Sequence, residues 1–118
     1  MTQKLGLARS QRLILPSEFE RVREEGRAAR GPLLTLGVLA PSLGPVRAGF
    51  VTSRKVGNAV MRNRVRRRLR AIFRRHQHQI TPATWVVTIA RPPAARATSA
   101  ELEQEWLRLA ERTSILAP

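Results

Sequence analysis

"FVTSRKVGNAVMRNRVRRRLRAIFRRH", residues 50–76, opens as a strand, breaks at a glycine and continues as a helix. It holds nine arginines and one lysine and no acidic residue. Gly57 interrupts the chain and Asn58 is a side chain that can cap a helix start. The spacing predicts a helix from Asn58 to about His76. At about 100° per residue, Met61, Val65, Leu69, Ile72 and Phe73 fall on one apolar stripe. Asn63, Arg67, Arg70 and Arg74 fall opposite. Arg62 and Arg66 border the stripe on one side, and Arg64, Arg68 and Arg75 on the other. So many like charges three and four residues apart oppose helix formation in isolation. Packing of the stripe against a sheet must hold the helix, and a bound polyanion would relieve the repulsion.

Working outward, "VRAGFVTS" (residues 46–53) reads as the strand that feeds this helix, and "PLLTLGVLA" (residues 32–40) as one before it. Leu34, Leu36 and Val38 alternate onto one face of the earlier strand. "PSLGP" between the two has turn composition, so the pair is expected to form an antiparallel hairpin. Upstream, "LPSEFERVREEG" opens a helix, with Ser17 as the expected N-cap, Glu20 completing a capping box and Gly26 as the stop. Phe19 and Val22 share a face. Downstream, "TWVVTIAR" (residues 84–91) is a third strand. A last helix starts near Thr98, which pairs with Glu101 in a second capping box, and buries Leu102, Trp106 and Leu109. The order is α-β-β-α-β-α, an α+β sandwich with a small sheet. Whether "KLGLARSQRLIL" adds a short extra strand is open at this stage.

The 118 residues suffice for one compact domain, taken as 1–118 with a core of about 12–112. No apolar run is long enough to span a bilayer, and "MTQKLGLARSQR" lacks the apolar core of a secretory signal. The absence of cysteine excludes disulfides and thiolate metal sites and fits a cytoplasmic location. The formal net charge is +14, and 20 of the 22 basic residues are Arg. All eight acidic residues are Glu, four near each end, so residues 26–100 hold none against fifteen Arg and Lys. A solvated surface usually alternates sign. A one-sign field of this kind attracts polyanions, with nucleic acid the first reading, and an anionic membrane surface or an acidic protein as alternatives.

Metal-dependent nuclease chemistry needs several carboxylates held together. With no Asp, and with the Glu residues at surface spacings on the flanking helices, neither a catalytic residue nor a metal site is expected. His76 and His78 could form an acid–base pair on RNA, but a polar helix end accounts for them more simply. Binding remains. Arg62, Arg64, Arg66, Arg67, Arg68 and Arg70 can each grip phosphate oxygens bidentately. Asn63 is either a reader of sugar, base or phosphate or a bystander on an exposed face. Arg54 and Lys55, with Asn58 and the backbone N–H groups of the helix start, make a second anion site. Aromatic platforms for single strands are scarce: Phe19, Phe50, Phe73, Trp85 and Trp106 are the whole set.

The motif at Arg54, Lys55, Val56, Gly57, Ala59, Val60, Arg62, Asn63, Arg64, Arg66, Arg67, Leu69 and Arg70 resembles the signature of the protein subunit of bacterial ribonuclease P. "RLILPSEFERVREEG" and "WVVTIARPPA" extend the resemblance from about Arg12 to Leu109. It implies a ribosomal protein S5 domain 2-like fold, with a left-handed βαβ crossover around the basic helix. It implies a cofactor of a catalytic RNA that removes the 5′ leader of precursor tRNA, with hydrolysis done by the RNA and Mg²⁺ held through the RNA. The basic helix would face that RNA. A cleft between the first helix and the sheet would take the leader, with Arg12 and Phe19 at family positions. Arg23 stands where relatives often carry a second aromatic, and Gly37 near a lost strand aromatic, which implies weaker stacking and more arginine contact. Neither membrane nor DNA is an expected partner. The alternative is a ribosomal-type structural RNA-binding protein.

Overall fold

The computed structural model describes residues 11–41 and 44–117. Helix α1 (Pro16–Glu25) leads into strands β1 (Arg27–Arg30), β2 (Leu34–Leu39) and β3 (Arg47–Thr52). Helix α2 (Ala59–His76), strand β4 (Trp85–Ala90) and helix α3 (Ser99–Arg112) follow. The four strands form one mixed sheet in the order β1-β2-β4-β3.

The expected hairpin of β2 with β3 does not form. β4 lies between them, antiparallel to β2 and parallel to β3, with Leu36 opposite Thr88 and Phe50 opposite Thr88 from the other side. The physical reason lies in β4, where Val86, Val87 and Thr88 are all buried. A strand apolar on both faces gains most in the centre of the sheet. The hairpin is instead β1–β2, with Arg27 opposite Val38 and Arg30 opposite Thr35. The fourth strand is β1, downstream of α1 and outside the early segment "KLGLARSQRLIL". "RAAR" buries one residue, Ala29, and has no β-branched residue, so periodicity gives no sign of it. Of the early segment, residues 1–10 lie outside the described residues, and Arg12 makes one bridge to Ala48.

Helices α2 and α3 cover one sheet face. Val65, Leu69, Ile72 and Phe73 of α2 and Leu102, Trp106, Leu109 and Ala110 of α3 close over Leu34, Leu36, Val38, Ala48, Val86 and Ala90. Phe50, Phe73 and Trp106 meet edge to face at 6.1 and 6.4 Å. The buried indole N–H donates to Thr88 Oγ1 at 3.1 Å, so the core is both dense and hydrogen-bonded. Thr98 and Glu101 form the expected capping box on α3.

Among the described residues, α1 is the one helix on the opposite face, where it lies over a smaller cluster of Leu13, Val22 and Val87. Its cap is not Ser17. Pro16 occupies the first turn, where its missing N–H costs nothing, and that moves the start two residues earlier. The Glu18 carboxylate then accepts from the N–H groups of Ile14 and Leu15, each at 2.9 Å. One helix cannot cover a four-stranded sheet, and the uncovered remainder is a groove.

Candidate nucleic-acid interface

The start of α2 is built by a tight sequence of turns. After Ser53, residues Arg54–Val56 form a short 3₁₀ turn that buries Val56 and leaves Arg54 and Lys55 exposed. Gly57 has φ 152°, a conformation that a side chain resists. Asn58 Oδ1 then accepts from the Met61 N–H at 2.9 Å. The cap predicted for Asn58 is present, and it occupies the side-chain oxygen, leaving the amide N–H₂ for any RNA.

The stripe lies where expected: Val65, Leu69, Ile72 and Phe73 are buried, and Met61 is half-buried. Among the described residues, no arginine from Arg62 to Arg74 pairs with a carboxylate. The ion pairs lie elsewhere, from Glu18–Arg47 to Glu103–Arg75. Asn63, Arg64 and Arg67 are exposed. Arg66 donates to Asn63 Oδ1 at 3.2 Å and to Thr52 Oγ1 at 2.7 Å, which aims Asn63 and fastens Arg66 to the end of β3. Arg68 donates to the Ala97 carbonyl at 2.9 Å. Arg62 is half-buried, and its Nε is buried without a hydrogen-bond partner. Burial, and then the guanidinium groups of Arg12, Arg66 and Arg74, hold the Arg70 pKa below the ordinary arginine value. The charge of this face is thus dense enough to work against itself.

The groove on the other sheet face measures about 540 Å³. Phe19, Val22 and Arg23 of α1 form one wall; Thr35, Gly37, Val51, Val87 and Ile89 form the floor. Two glycines seat the helix low. A Cβ on Gly49 would lie 2.5 Å from the Phe19 ring, and one on Gly37 would lie 3.3 Å from Val22. Phe19 is half-buried, and Arg23 is exposed and paired with Glu20 at 2.7 Å. Arg12 precedes α1, and its carbonyl accepts from Arg47 at 2.6 Å. The structure therefore brings Phe19 and Arg23 to one groove and sets Arg12 near Arg70, at the β3 edge.

The two histidines part company. His76 stacks on Trp106 at 6.0 Å and meets Glu103 at 2.6 Å, while His78 is exposed. Among the described residues, no three His or Glu side chains gather in a way that could hold a metal ion. Two sets of residues escaped the sequence reading. The floor residues Val51, Val87 and Ile89 are outward-facing apolar positions on strands, a signal of a second, partly covered face. Glu105 reads as helix surface but is buried: Oε2 accepts from the N–H groups of Leu33 and Leu34, each at 2.6 Å. It pins the β1–β2 turn from the α3 side of the sheet.

A family model described as Ribonuclease P matches residues 7–114. The ribonuclease P protein component of Beutenbergia cavernae is 42% identical over 100 residues, covering 84% of this chain and 84% of that protein. Among solved structures, Staphylococcus aureus RNase P protein superposes with a TM-score of 0.84 at 24% identity, covering 92% of this chain and 99% of that one. RNase P protein from Thermotoga maritima superposes at 0.77 and 28% identity, over 86% and 96% of the two chains.

Proposed function

The chain belongs to the ribonuclease P protein family, and from that premise we propose how its surfaces serve the removal of 5′ leaders from precursor tRNA. The chain is the protein cofactor of this endoribonuclease, and the chemistry resides in the RNA subunit. α2 binds that RNA through Arg62, Asn63, Arg64, Arg66, Arg67, Arg68 and Arg70, with Arg54, Lys55 and Asn58 at the helix start. Backbone contact dominates, because an A-form helix hides its base edges from a protein helix. The groove under α1 takes the single-stranded leader of the precursor, with Phe19 and Arg23 on its wall and Arg12 at its approach. Mg²⁺ belongs to the RNA: among the described residues the carboxylates do not gather into a cluster that fits a site for it, so no step runs through a metal on this chain. A cytoplasmic location follows from the same role; no described helix is long and apolar enough to cross a membrane.

The observation that carries this reading is the run of α2 arginines from Arg62 to Arg74, which has no carboxylate partner among the described residues. The test is reconstitution with a bacterial ribonuclease P RNA and a precursor tRNA at limiting Mg²⁺. The protein is expected to raise the rate of leader removal, more for long leaders than for very short ones. No stimulation, together with co-sedimentation with ribosomes, would instead favour a structural role in another ribonucleoprotein.

A further inference from the structure

α2 carries two charged flanks. Asn63, Arg66 and Arg70 follow one another toward the β3 edge, where Arg66 is fastened to Thr52. Arg64, Arg68 and Arg75 follow toward α3, where Arg68 holds the Ala97 carbonyl and Arg75 pairs with Glu103 at 3.0 Å. At 3.6 residues per turn the two rows are centred roughly 150° apart around the helix. Each borders its own depression. One, of about 400 Å³, lies against Val60, Asn63, Arg66, Arg67 and Arg70. The other, of about 350 Å³, lies against Arg64, Arg67, Arg68, Ala71, Arg75 and Ser99. Arg67 stands on the ridge between them and lines both.

We propose that α2 lies between two separate RNA segments, one in each depression, with Arg67 reaching phosphates of both. This rests on the reading of α2 as the surface that binds the catalytic RNA. A helix with its side chains is about 10–12 Å across, so one backbone cannot line both depressions without crossing the ridge. The deep groove of A-form RNA is too narrow to admit the helix and offer both its strands. The partner is therefore a place where two strands or two helices of a folded RNA come close, and α2 neutralises the repulsion between them. Among the described residues neither Arg66 nor Arg70 faces a carboxylate, whereas on the α3 side Glu103 offsets Arg75, so the β3-side segment meets guanidinium groups with no competing anion. It is also the segment next to Arg12 and the lead-in to α1, hence the nearer to the substrate groove.

The chain has no cysteine, so a single one can carry an iron–EDTA cleaving group. Val60→Cys tethers it beside the first depression and Ser99→Cys beside the second. In the complex with ribonuclease P RNA, the two tethers should cut sets of nucleotides that do not overlap. Arg70→Ala should then loosen protection only in the Val60 set, and Arg64→Ala only in the Ser99 set, each lowering affinity several-fold at fixed salt. Coincident cuts from both tethers, or loss of all protection with either variant, would overturn the two-segment arrangement while leaving α2 as an RNA-binding helix. If the unsubstituted protein protects no nucleotide of the RNA, the underlying reading of α2 fails, and this inference with it.

Discussion

Gly49 lies beneath the Phe19 ring, and a single methyl group there would meet the ring's carbons at 2.5 and 2.7 Å. Gly49→Ala should lift α1 or turn Phe19 outward, costing roughly 1–3 kcal/mol by overpacking and weakening leader binding more than binding of the RNA subunit. Urea midpoints and cleavage of long-leader against short-leader precursors read the two effects separately. Glu105 is a different kind of dependence. Glu105→Ala strips an acceptor from two backbone N–H groups, Leu33 and Leu34. With roughly 1–3 kcal/mol for each buried donor left unpaired, the variant should lose several kcal/mol, far more than Glu111→Ala on the exposed side of the same helix. Glu103 sets a pH dependence. Hydrogen bonds from Arg75 and then His76 outweigh its partial burial and hold its carboxyl below the ordinary value. A depressed carboxylate stabilises the fold in full above its unfolded value, about 4.3, and that share is lost as pH falls through the folded value. Between about pH 5 and 3, the urea midpoint of the wild type should therefore fall relative to that of Glu103→Gln.

At the scale of elements, α2 joins two independent demands, and substitutions separate them. Leu69→Ala opens a fully buried site and should cost roughly 2–5 kcal/mol of stability. Arg64→Ala should leave stability within about 0.5 kcal/mol and lower the salt slope of RNA binding by about one unit or less. An unchanged slope would mean Arg64 faces solvent in the complex. The same helix explains what sequence reading can and cannot reach. Its stripe and its Asn58 cap are local facts, set by periodicity and one hydrogen bond. The neighbours of β2 are not local: its alternation suits β3 or β4 equally, and β4 takes the central place because it is apolar on both sides. The α1 cap was misread because Ser17–Glu20 and Leu15–Glu18 both offer an acid three residues on, and Pro16 decides between them. The basic face was legible because charge needs no partner to be seen. The groove floor and Glu105 were not, since both depend on where other elements lie.

For the whole molecule, stability and function respond to salt with opposite signs. Raising ionic strength from about 0.01 M to about 1 M shrinks the Debye length from about 30 Å to about 3 Å. In the free protein this should raise the melting temperature, by screening the crowd around Arg70. Over the same range, affinity for the RNA should collapse. A melting temperature that fell with salt would show that ion pairs such as Glu18–Arg47 outweigh the self-repulsion. The central position of β4 has a further effect, on the order in which the molecule is made. A ribosome finishes β3 and the whole arginine helix before it reaches Trp85. Until then β3 has no strand beside it, and the apolar side of α2 has only part of its floor. A nascent chain stopped at residue 84 should thus be protease-sensitive, and one that has released α3 should be resistant. Birth of this domain therefore leaves a stretch of bare cations waiting near the exit tunnel, amid ribosomal RNA, until the last third of the chain arrives to shut the sheet.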